Sequence, residues 1–188
     1  MTSEVPTNLA VSDNRDSAPR RSDSRARRWI LAGALVAAFA VDQITKEIAL
    51  HGLATGPVSF GGVRLRLVAN RGILLGFPAP TLVIVLATIG VVIVALRSTR
   101  GQTRTMTVAY GLFAGGALGN LADRFQDRHF FPSNAVVDWI AAGRFTFNLA
   151  DVMLLVGLIL MLLLSETDRD VDPTRQSEWP DQDVPLGR

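Results

Sequence analysis

Four long apolar runs, separated by polar segments, constrain this chain more than any other feature of its sequence. They span residues 29–50, 73–96, 105–122 and 145–164. Each run approaches the roughly 20 residues that a helix needs to cross a bilayer. Because unpaired backbone groups cannot face lipid, each run is predicted to be a helix. The sequence therefore predicts an all-α integral membrane protein with four transmembrane helices.

The first apolar run has an alternative interpretation. Its first dozen residues, followed by Ala38-Phe39-Ala40, also resemble a cleavable signal peptide. Against this, the apolar run continues past Ala40, and no stretch with the composition of a soluble domain follows it. These observations favour a membrane helix.

The composition excludes several classes of site. The 188 residues include no cysteine, which rules out disulfides, thiolate catalysis and cysteine-ligated metal. His51 and His129 are the two histidines, which is too few for a histidine-rich zinc site. A formal net charge of +2 is too small to indicate a nucleic-acid partner.

Polar segments flank the apolar part of the sequence. Residues 1–28 are rich in Ser, Asp and Arg, and residues 166–188 are acidic and polar, with Pro173 and Pro180. Both are predicted to be disordered tails. The membrane domain between them is predicted to span residues 29–165.

Basic residues in the short loops set the predicted orientation. Two arginine clusters, one before the first helix and one between the second and third, place both termini in the cytoplasm. These are Arg25, Arg27 and Arg28, and Arg97, Arg100 and Arg104. Six other arginines then fall on the outer side, which weakens the rule: Arg64, Arg66, Arg71, Arg124, Arg128 and Arg144. The loops at 51–72 and 123–144 are predicted to be external.

The first external loop contains an alternating pattern. Val63, Leu65 and Leu67 alternate with Arg64 and Arg66. A period of two predicts a short strand with one apolar face. The strand could form a small β platform along the membrane surface, and a plain connecting hairpin is the alternative. The segment between the third and fourth helices is predicted to be an external loop.

Two features of the helices predict how they pack. Asp42 and Lys46 are four residues apart on the first helix, so a structural ion pair is predicted, although Lys46 could also extend to lipid headgroups. Gly111, Gly115 and Gly119 line one face of the third helix. Small residues at that spacing predict a close approach of a neighbouring helix.

A polar group follows these glycines at the end of the third helix. Asn120 can share a face with Asp123 or with Arg124. The two charged residues could form a simple helix-end cluster. Alternatively, Arg124 meets a lipid phosphate or a backbone carbonyl of a substrate.

Asp138 and Asp151 lie close to the start of the last apolar run. A carboxylate at a membrane boundary is costly unless it is paired or used. Two that reach each other suggest acid/base chemistry with a shared proton. Asn148 lies three residues before Asp151 and could orient its carboxylate. Taken singly, Asp151 could merely favour a helix N-terminus, and Asp138 could be an ordinary loop acid.

Five motifs occur together, in one order, over residues 40–155. They are Asp42-Gln43-x-Thr45-Lys46, Asn70-x-Gly72, Gly115-Gly116-Ala117-x-Gly119-Asn120-x-x-Asp123-Arg124, Val136-Val137-Asp138 and Phe147-Asn148-x-Ala150-Asp151. In these motifs and in its four-helix pattern the chain resembles the lipoprotein signal peptidases, also called signal peptidase II.

The resemblance implies a bacterial inner-membrane aspartic endopeptidase. The family cleaves the signal peptide from diacylglyceryl-modified prolipoproteins, immediately before the lipid-bearing cysteine. The positions that match its motifs would be the catalytic dyad Asp138 and Asp151, the substrate-binding Asn70, Gly72, Asn120, Arg124 and Asn148, and the supporting Asp42, Lys46 and Asp123. The resemblance also implies that no metal or cofactor is required, that the partners are prolipoproteins and membrane lipid, that the protein is a monomer, and that the site lies near the outer face.

Some positions depart from the family's pattern. Leu75 stands where an aromatic residue is usual, and Arg71 where a small polar residue is commoner. Asn134 and Ala135 stand where a glycine often precedes the Val-Val-Asp motif, and the loop Gln126–Ala135 carries extra charge and aromatic residues. These changes leave the two acids intact and bear on the shape of the substrate groove.

Two other functions fit the residues alone. A small transporter or proton-coupled channel subunit also needs intramembrane carboxylates, but it would place them near the midplane. A catalytically inactive scaffold would tolerate neutral substitutions at Asp138 and Asp151. The predicted clustering of the acids at one face favours hydrolysis at the membrane surface.

Overall fold

The computed structural model describes residues 21–72, 80–98, 102–128 and 131–169. These residues form four helices and one four-stranded antiparallel sheet. In chain order the elements are α1 (Arg21–Gly52), β1 (Val58–Phe60), β2 (Val63–Asn70), α2 (Thr81–Ser98), α3 (Arg104–Phe125), β3 (Val136–Ala142), β4 (Phe145–Phe147) and α4 (Leu149–Arg169).

The first and last helices, α1 and α4, extend further into the flanking polar segments than the sequence predicts. Helix α1 begins at Arg21 rather than at Trp29, so residues 21–28, assigned to a disordered tail, are helical. Arg25, Ala26 and Arg27 are good helix formers, and a helix nucleated in the apolar run propagates readily into them. Helix α4 likewise ends at Arg169 instead of at residue 165. Residues 1–20 and 170–188 lie outside the described residues.

The segment between α3 and α4 was predicted incorrectly as a loop followed by a helix from Phe145. It contains the hairpin β3–β4, and Phe145–Phe147 is a strand. The turn at Gly143 has a φ of 58°, which a glycine adopts without strain. The alternation of Phe145 and Phe147 around Thr146 is a strand period, which the length of the apolar run had concealed. The fold is therefore helical with a sheet, rather than all-α with a minor platform.

The strand predicted between the first two helices is confirmed as β2, which pairs with β1 and β3. Asn70 lies opposite Val136, and Val68 lies opposite Asp138, after a register irregularity between Leu65 and Val68. This pairing brings the end of β2 beside the Val136-Val137-Asp138 motif of β3. As a result, segments separated by more than sixty residues meet at one end of the helices.

Within the described ranges, two helices are long and apolar enough to cross a membrane, Ser24–Gly52 within α1 and Thr81–Ser98, which is α2. The apolar stretch of α4, Leu149–Ser165, is shorter. Large apolar side chains on the outward faces, such as Ile48, Leu86 and Leu162, are exposed. An exposed apolar surface of this kind suits lipid rather than water.

Helix α3 lies against both α1 and α4, and its glycines permit the approach. A Cβ at Gly115 would lie 2.6 Å from the carbonyl oxygen of Leu35 on α1, and a Cβ at Gly116 would lie 2.7 Å from that of Ala150 on α4. A Cβ at Gly119 would overlap the Asp42 carboxylate. The predicted glycine face is therefore confirmed as the contact with α1.

We expect Gly115→Ala to lower the free energy of unfolding by about 1–3 kcal/mol, because the added methyl group meets backbone atoms that cannot yield. Thermal unfolding of the purified protein in detergent measures the change. Gly90→Ala is the matched control, since no atom lies within 4 Å of the new methyl group on α2. Equal stability of the two variants would contradict the close packing of α1 and α3.

Candidate active site

Asp151 belongs to the cap that starts α4. The backbone N–H of Asp151 donates to the side-chain Oδ1 of Asn148 at 3.1 Å, and the N–H of Asn148 donates to Oδ2 of Asp151 at 3.2 Å. This reciprocal arrangement is a capping box, in which the first and fourth residues satisfy each other's free donors. The local sequence Asn148-x-x-Asp151 thus fixes both side chains at the start of the helix.

Asp138 is fully buried on β3 and accepts hydrogen bonds at both carboxylate oxygens. Asn70 donates to Oδ2 at 3.0 Å, and the side chain of Asn148 donates to Oδ1 at 2.8 Å. The N–H of Gly72 donates to Oδ1 of Asn70 at 2.8 Å, which sets the orientation of the Asn70 amide. Asn148 therefore contacts both acids, Asp138 through its side chain and Asp151 through its backbone.

Asn120 on α3 joins the two acids to the charged group behind them. It donates to Oδ1 of Asp151 at 2.8 Å. Its own oxygen accepts from Asn148 at 3.0 Å and from Lys46 at 3.0 Å. The structure thus brings together both predicted catalytic residues with Asn70, Asn120 and Asn148.

The environment of Asp138 favours its protonated form. Burial, and then the negative charge of Asp151, raises the pKa of Asp138 from 3.8 to about 7. The amide donors Asn70 and Asn148 act in the opposite direction. Two nearby carboxylates that cannot both ionise easily retain one proton between them.

A buried ionic group lies behind the acids. Lys46 pairs with Oδ2 of Asp42 at 2.7 Å and with Oδ2 of Asp123 at 2.9 Å, and all three side chains are buried. The predicted ion pair of Asp42 and Lys46 is therefore confirmed, and Asp123 completes it. With these two carboxyl partners in the interior, the lysine does not extend to lipid headgroups.

Each acid of this ionic group also holds one strand or helix of the site. Oδ1 of Asp42 accepts from the N–H of Ala150 at 3.0 Å, directly before Asp151. Oδ2 of Asp123 accepts from the N–H of Val137 at 3.0 Å, directly before Asp138. Lys46, which contacts both carboxylates, therefore couples the backbone positions of the two candidate catalytic residues.

A groove of about 180 Å³ opens beside Asp151 between α2, α3 and α4. Its polar lining includes four predicted site residues besides Asp151, and its walls are largely apolar. These four residues are Asn70, Gly72, Asn120 and Arg124, and the apolar lining includes Ile84, Val91, Phe113 and Leu154. Asn148 lies behind this lining.

Arg124 is anchored at the rim of the groove. It donates to the carbonyl oxygens of Gly72 and Arg71, and 7% of its surface is exposed. Its Nε is buried and has no hydrogen-bond partner among the described residues. A cation held in this way can meet a carbonyl oxygen that enters the groove.

The positions that depart from the family's motifs have different structural settings. Asn134 adopts a φ of 57°, a conformation that asparagine tolerates better than most residues and that glycine adopts freely. The replacement therefore preserves the turn before β3. The side chain of Arg71 is exposed, and its carbonyl accepts from Arg124. Leu75 lies outside the described residues.

Two residues of the polar network carried no predicted role. Gln43 donates to Asp42 at 3.1 Å and to Asp123 at 3.3 Å, and Arg128 donates to Asp123 at 3.0 Å. Gln43 lies within the first motif and was available from that pattern. Arg128 gave no signal, because two of its partners, Gln43 and Glu47, lie on α1, far away in the sequence. Among the residues described, no three His, Cys, Asp or Glu side chains could hold a metal ion.

We expect Lys46→Ala to lower the free energy of unfolding by about 3–5 kcal/mol, because it leaves two buried carboxylates without their shared cation. Thermal or denaturant unfolding in detergent measures the loss. Glu47→Gln is the control on the same helix. Its carboxylate is half exposed and pairs with Arg128, a contact worth about 0–1 kcal/mol. A Lys46→Ala loss as small as that of the control would contradict the coupling role.

Comparisons with known proteins agree with one another. A family model described as signal peptidase (SPase) II matches residues 34–166. The chain is similar to a lipoprotein signal peptidase of Rhodococcus jostii, with 34% identity over 170 residues that cover 87% of this chain and 86% of the relative. It is also 34% identical to a lipoprotein signal peptidase of Streptomyces coelicolor, over 84% of this chain and 80% of that one.

A solved structure described as a bacterial membrane enzyme has the same fold. It superposes with a TM-score of 0.61 at 24% identity and covers 77% of this chain and 90% of its own length. A second structure with the same description gives a TM-score of 0.58. At this level of identity the likeness concerns the arrangement of the chain.

Proposed function

The chain belongs to the signal peptidase II family, and on this premise we propose that it is an aspartic endopeptidase of lipoprotein maturation. Its substrates are diacylglyceryl-modified prolipoproteins, and it cleaves immediately before the lipid-bearing cysteine. The observation that carries this proposal is the contact of Asn148 with both acids, Asp138 and Asp151, beside a groove with apolar walls. The pair supplies both the base and the acid that peptide hydrolysis needs.

The two acids share one proton at neutral pH. Asp138, whose pKa is raised to about 7, holds that proton, and Asp151, which lines the groove, is the ionised member. Asp151 takes a proton from a water molecule as its oxygen attacks the scissile carbonyl carbon. Asp138 gives its proton to the carbonyl oxygen, so that the tetrahedral intermediate forms without a free oxyanion.

The intermediate then breaks down by the reverse transfer. Asp151 gives its proton to the leaving nitrogen as the carbon–nitrogen bond breaks. Asp138 recovers a proton from the hydroxyl of the intermediate, which becomes the new carboxyl group, and the starting protonation state returns. Asn148 holds the two carboxylates in place throughout, and Asn120 holds Asp151. The steps require no metal and no cofactor.

The groove suits the proposed substrate. Its apolar walls accept aliphatic side chains of a signal peptide, and the diacylglyceryl group would remain in lipid beside the helices. Arg124 and Asn70 lie along the groove and can bind the backbone of an extended segment. Arg124 has a buried Nε without a partner among the described residues, which makes it the most suitable donor to a substrate carbonyl.

The arrangement supports a four-span topology with the site at the outer face. Contacts of Lys46 with Asp123 and of Asp42 with Ala150 join the C-terminal part of α1, the C-terminal part of α3 and the N-terminus of α4. Helices α1 and α3 therefore run parallel to each other, and α4 runs antiparallel to both. If α2 crosses as well, both termini lie in the cytoplasm and the sheet lies outside. We propose this orientation for a monomer in the bacterial cytoplasmic membrane, with membrane lipid around a domain at 29–165.

This position separates the proposal from a proton-coupled transporter. Asp151 lies in the first turn of α4, and Asp138 lies on a strand beyond the helices. A transport path would require acids near the middle of the spans. Hydrolysis at the surface requires them where the substrate emerges, which is where this topology puts them.

We expect Asp138→Asn and Asp151→Asn each to lower kcat for cleavage of a lipidated prolipoprotein by about 10²- to 10⁴-fold. The amide conserves the shape of the side chain but cannot exchange the proton. Mass spectrometry of the products, with the amount of membrane-inserted protein measured in parallel, gives the result. Asp127→Asn is the control, an exposed acid at the same end of the molecule. Normal cleavage by either dyad variant would exclude the mechanism.

We expect the cleavage rate to fall by about tenfold per pH unit above pH 7, because Asp138 then loses the proton that the reaction needs. Because the pKa of Asp138 is raised from 3.8 to about 7 in the folded protein, its contribution to stability is lost as pH rises between these two values and does not change further above them. The unfolding midpoint is therefore measured at each pH, and rates are compared only where the protein is folded. A rate that keeps rising to pH 9 would contradict a protonated Asp138.

A further inference from the structure

The charged loop after α3 has no role in the proposed mechanism, yet one of its side chains is buried. Arg128 exposes 7% of its side chain, although it lies beyond the end of α3. Its guanidinium donates to Glu47 at 2.6 Å, to the oxygen of Gln43 at 2.7 Å and to Oδ1 of Asp123 at 3.0 Å. Arg128 therefore connects the start of this loop to both α1 and α3.

The contact with Asp123 is the one that leads to the active site. Oδ2 of Asp123 is occupied by Lys46 and by the N–H of Val137, directly before Asp138. Oδ1 is held by Arg128 at 3.0 Å and by Gln43 at 3.3 Å. Arg128 therefore fixes the rotation of the same carboxylate that fixes the start of β3.

The charge of Arg128 also completes the buried group. Two buried carboxyl groups, those of Asp42 and Asp123, contact the single buried amino group of Lys46. Arg128 is the second cation in contact with Asp123. Without it, a buried carboxylate would lose its balancing charge and one oxygen would lose its strongest donor.

We propose that Arg128 is a positioning residue of the cleavage reaction, which holds the Asp123 carboxylate and, through it, the backbone that carries Asp138. This inference rests on the proposed function of Asp138 as a member of the catalytic pair. Arg128 contacts neither acid of the pair. It lines a separate cleft of about 880 Å³, formed with Glu47, His51 and Gln126, and is absent from the lining of the groove beside Asp151.

Because Arg128 lies outside the groove, substitutions of this residue should change kcat rather than KM. Because the groove is unchanged, KM for the lipidated substrate should stay within about twofold in an Arg128 variant. Because Asp138 loses the support of its backbone, kcat should fall by about 10- to 100-fold in Arg128→Gln, in line with the cost of a small displacement of a catalytic group. Arg128→Lys should retain more of kcat, since an ammonium group can still pair with Asp123.

The experiment compares the full-length wild type, Arg128→Gln, Arg128→Lys, Asp123→Asn and the double variant Asp123→Asn/Arg128→Gln, all in detergent with a lipidated prolipoprotein peptide. If Arg128 acts through Asp123, the double variant has the kcat of Asp123→Asn alone, since coupled residues are not additive. Arg66→Gln is the matched control. The side chain of Arg66 is exposed on β2 and makes no hydrogen bond or ion pair with the described part of the chain, so kcat of Arg66→Gln should equal that of the wild type.

Three results would overturn the inference. These are a wild-type kcat in Arg128→Gln, a rise in KM without a fall in kcat, or independent losses that multiply in the double variant. Failure of the proposed function itself would look different, because the wild type would then fail to cleave the peptide or Asp138→Asn would cleave it normally. If Arg128→Gln does not fold, kcat of Asp123→Asn, read at equal folded fraction, decides the question: a wild-type value rejects a role that acts through the Asp123 carboxylate.

Discussion

Lys46, buried between Asp42 and Asp123, is the interaction on which the geometry of the site depends. The two carboxylates it joins each accept one backbone N–H, that of Ala150 before Asp151 and that of Val137 before Asp138. A buried ion pair contributes little net stability, but its strict geometry can select one arrangement of the chain. Here that arrangement aligns the start of α4 with β3, which the β3–β4 hairpin and the side chain of Asn148 also join.

The remaining parts of the fold make this ionic group possible. Gly119 has no side chain, so Asp42 can approach α3 closely, and the glycines before it bring α1 within backbone contact. The sheet then supplies what the helices cannot, because the pairing of β2 with β3 places Asn70 against Asp138. Asn148 finally links the strand to the helix. Helix packing, sheet register and helix capping therefore together set the positions of the two carboxylates. If these acids are catalytic, a change in any of the three should lower the cleavage rate by more than the loss of folded protein accounts for.

Sequence reasoning identified the parts that depend on local pattern or on motif order. The glycine face, the pair of Asp42 with Lys46 and the strand β2 followed from spacing alone. The roles of Asp138 and Asp151 came from motif resemblance, and they remain proposals. The sequence was misleading where one pattern fits two kinds of structure. The apolar Phe145–Phe147 continues into the last apolar run and was predicted as part of its helix, although it forms a strand. Arg128 was missed because its partners on α1 lie more than eighty residues away, and no local spacing reports such a contact.

The central claim is that two carboxylates, without a metal, hydrolyse the peptide bond before a lipid-bearing cysteine. The most direct test incubates the purified wild-type protein with a diacylglyceryl-modified prolipoprotein peptide and with the same peptide lacking the lipid, each with and without a strong chelator. Mass spectrometry locates the cut. The account predicts cleavage directly before the modified cysteine, unchanged by the chelator and strongly reduced without the lipid. Cleavage that disappears with the chelator, or a cut at another bond, would contradict it.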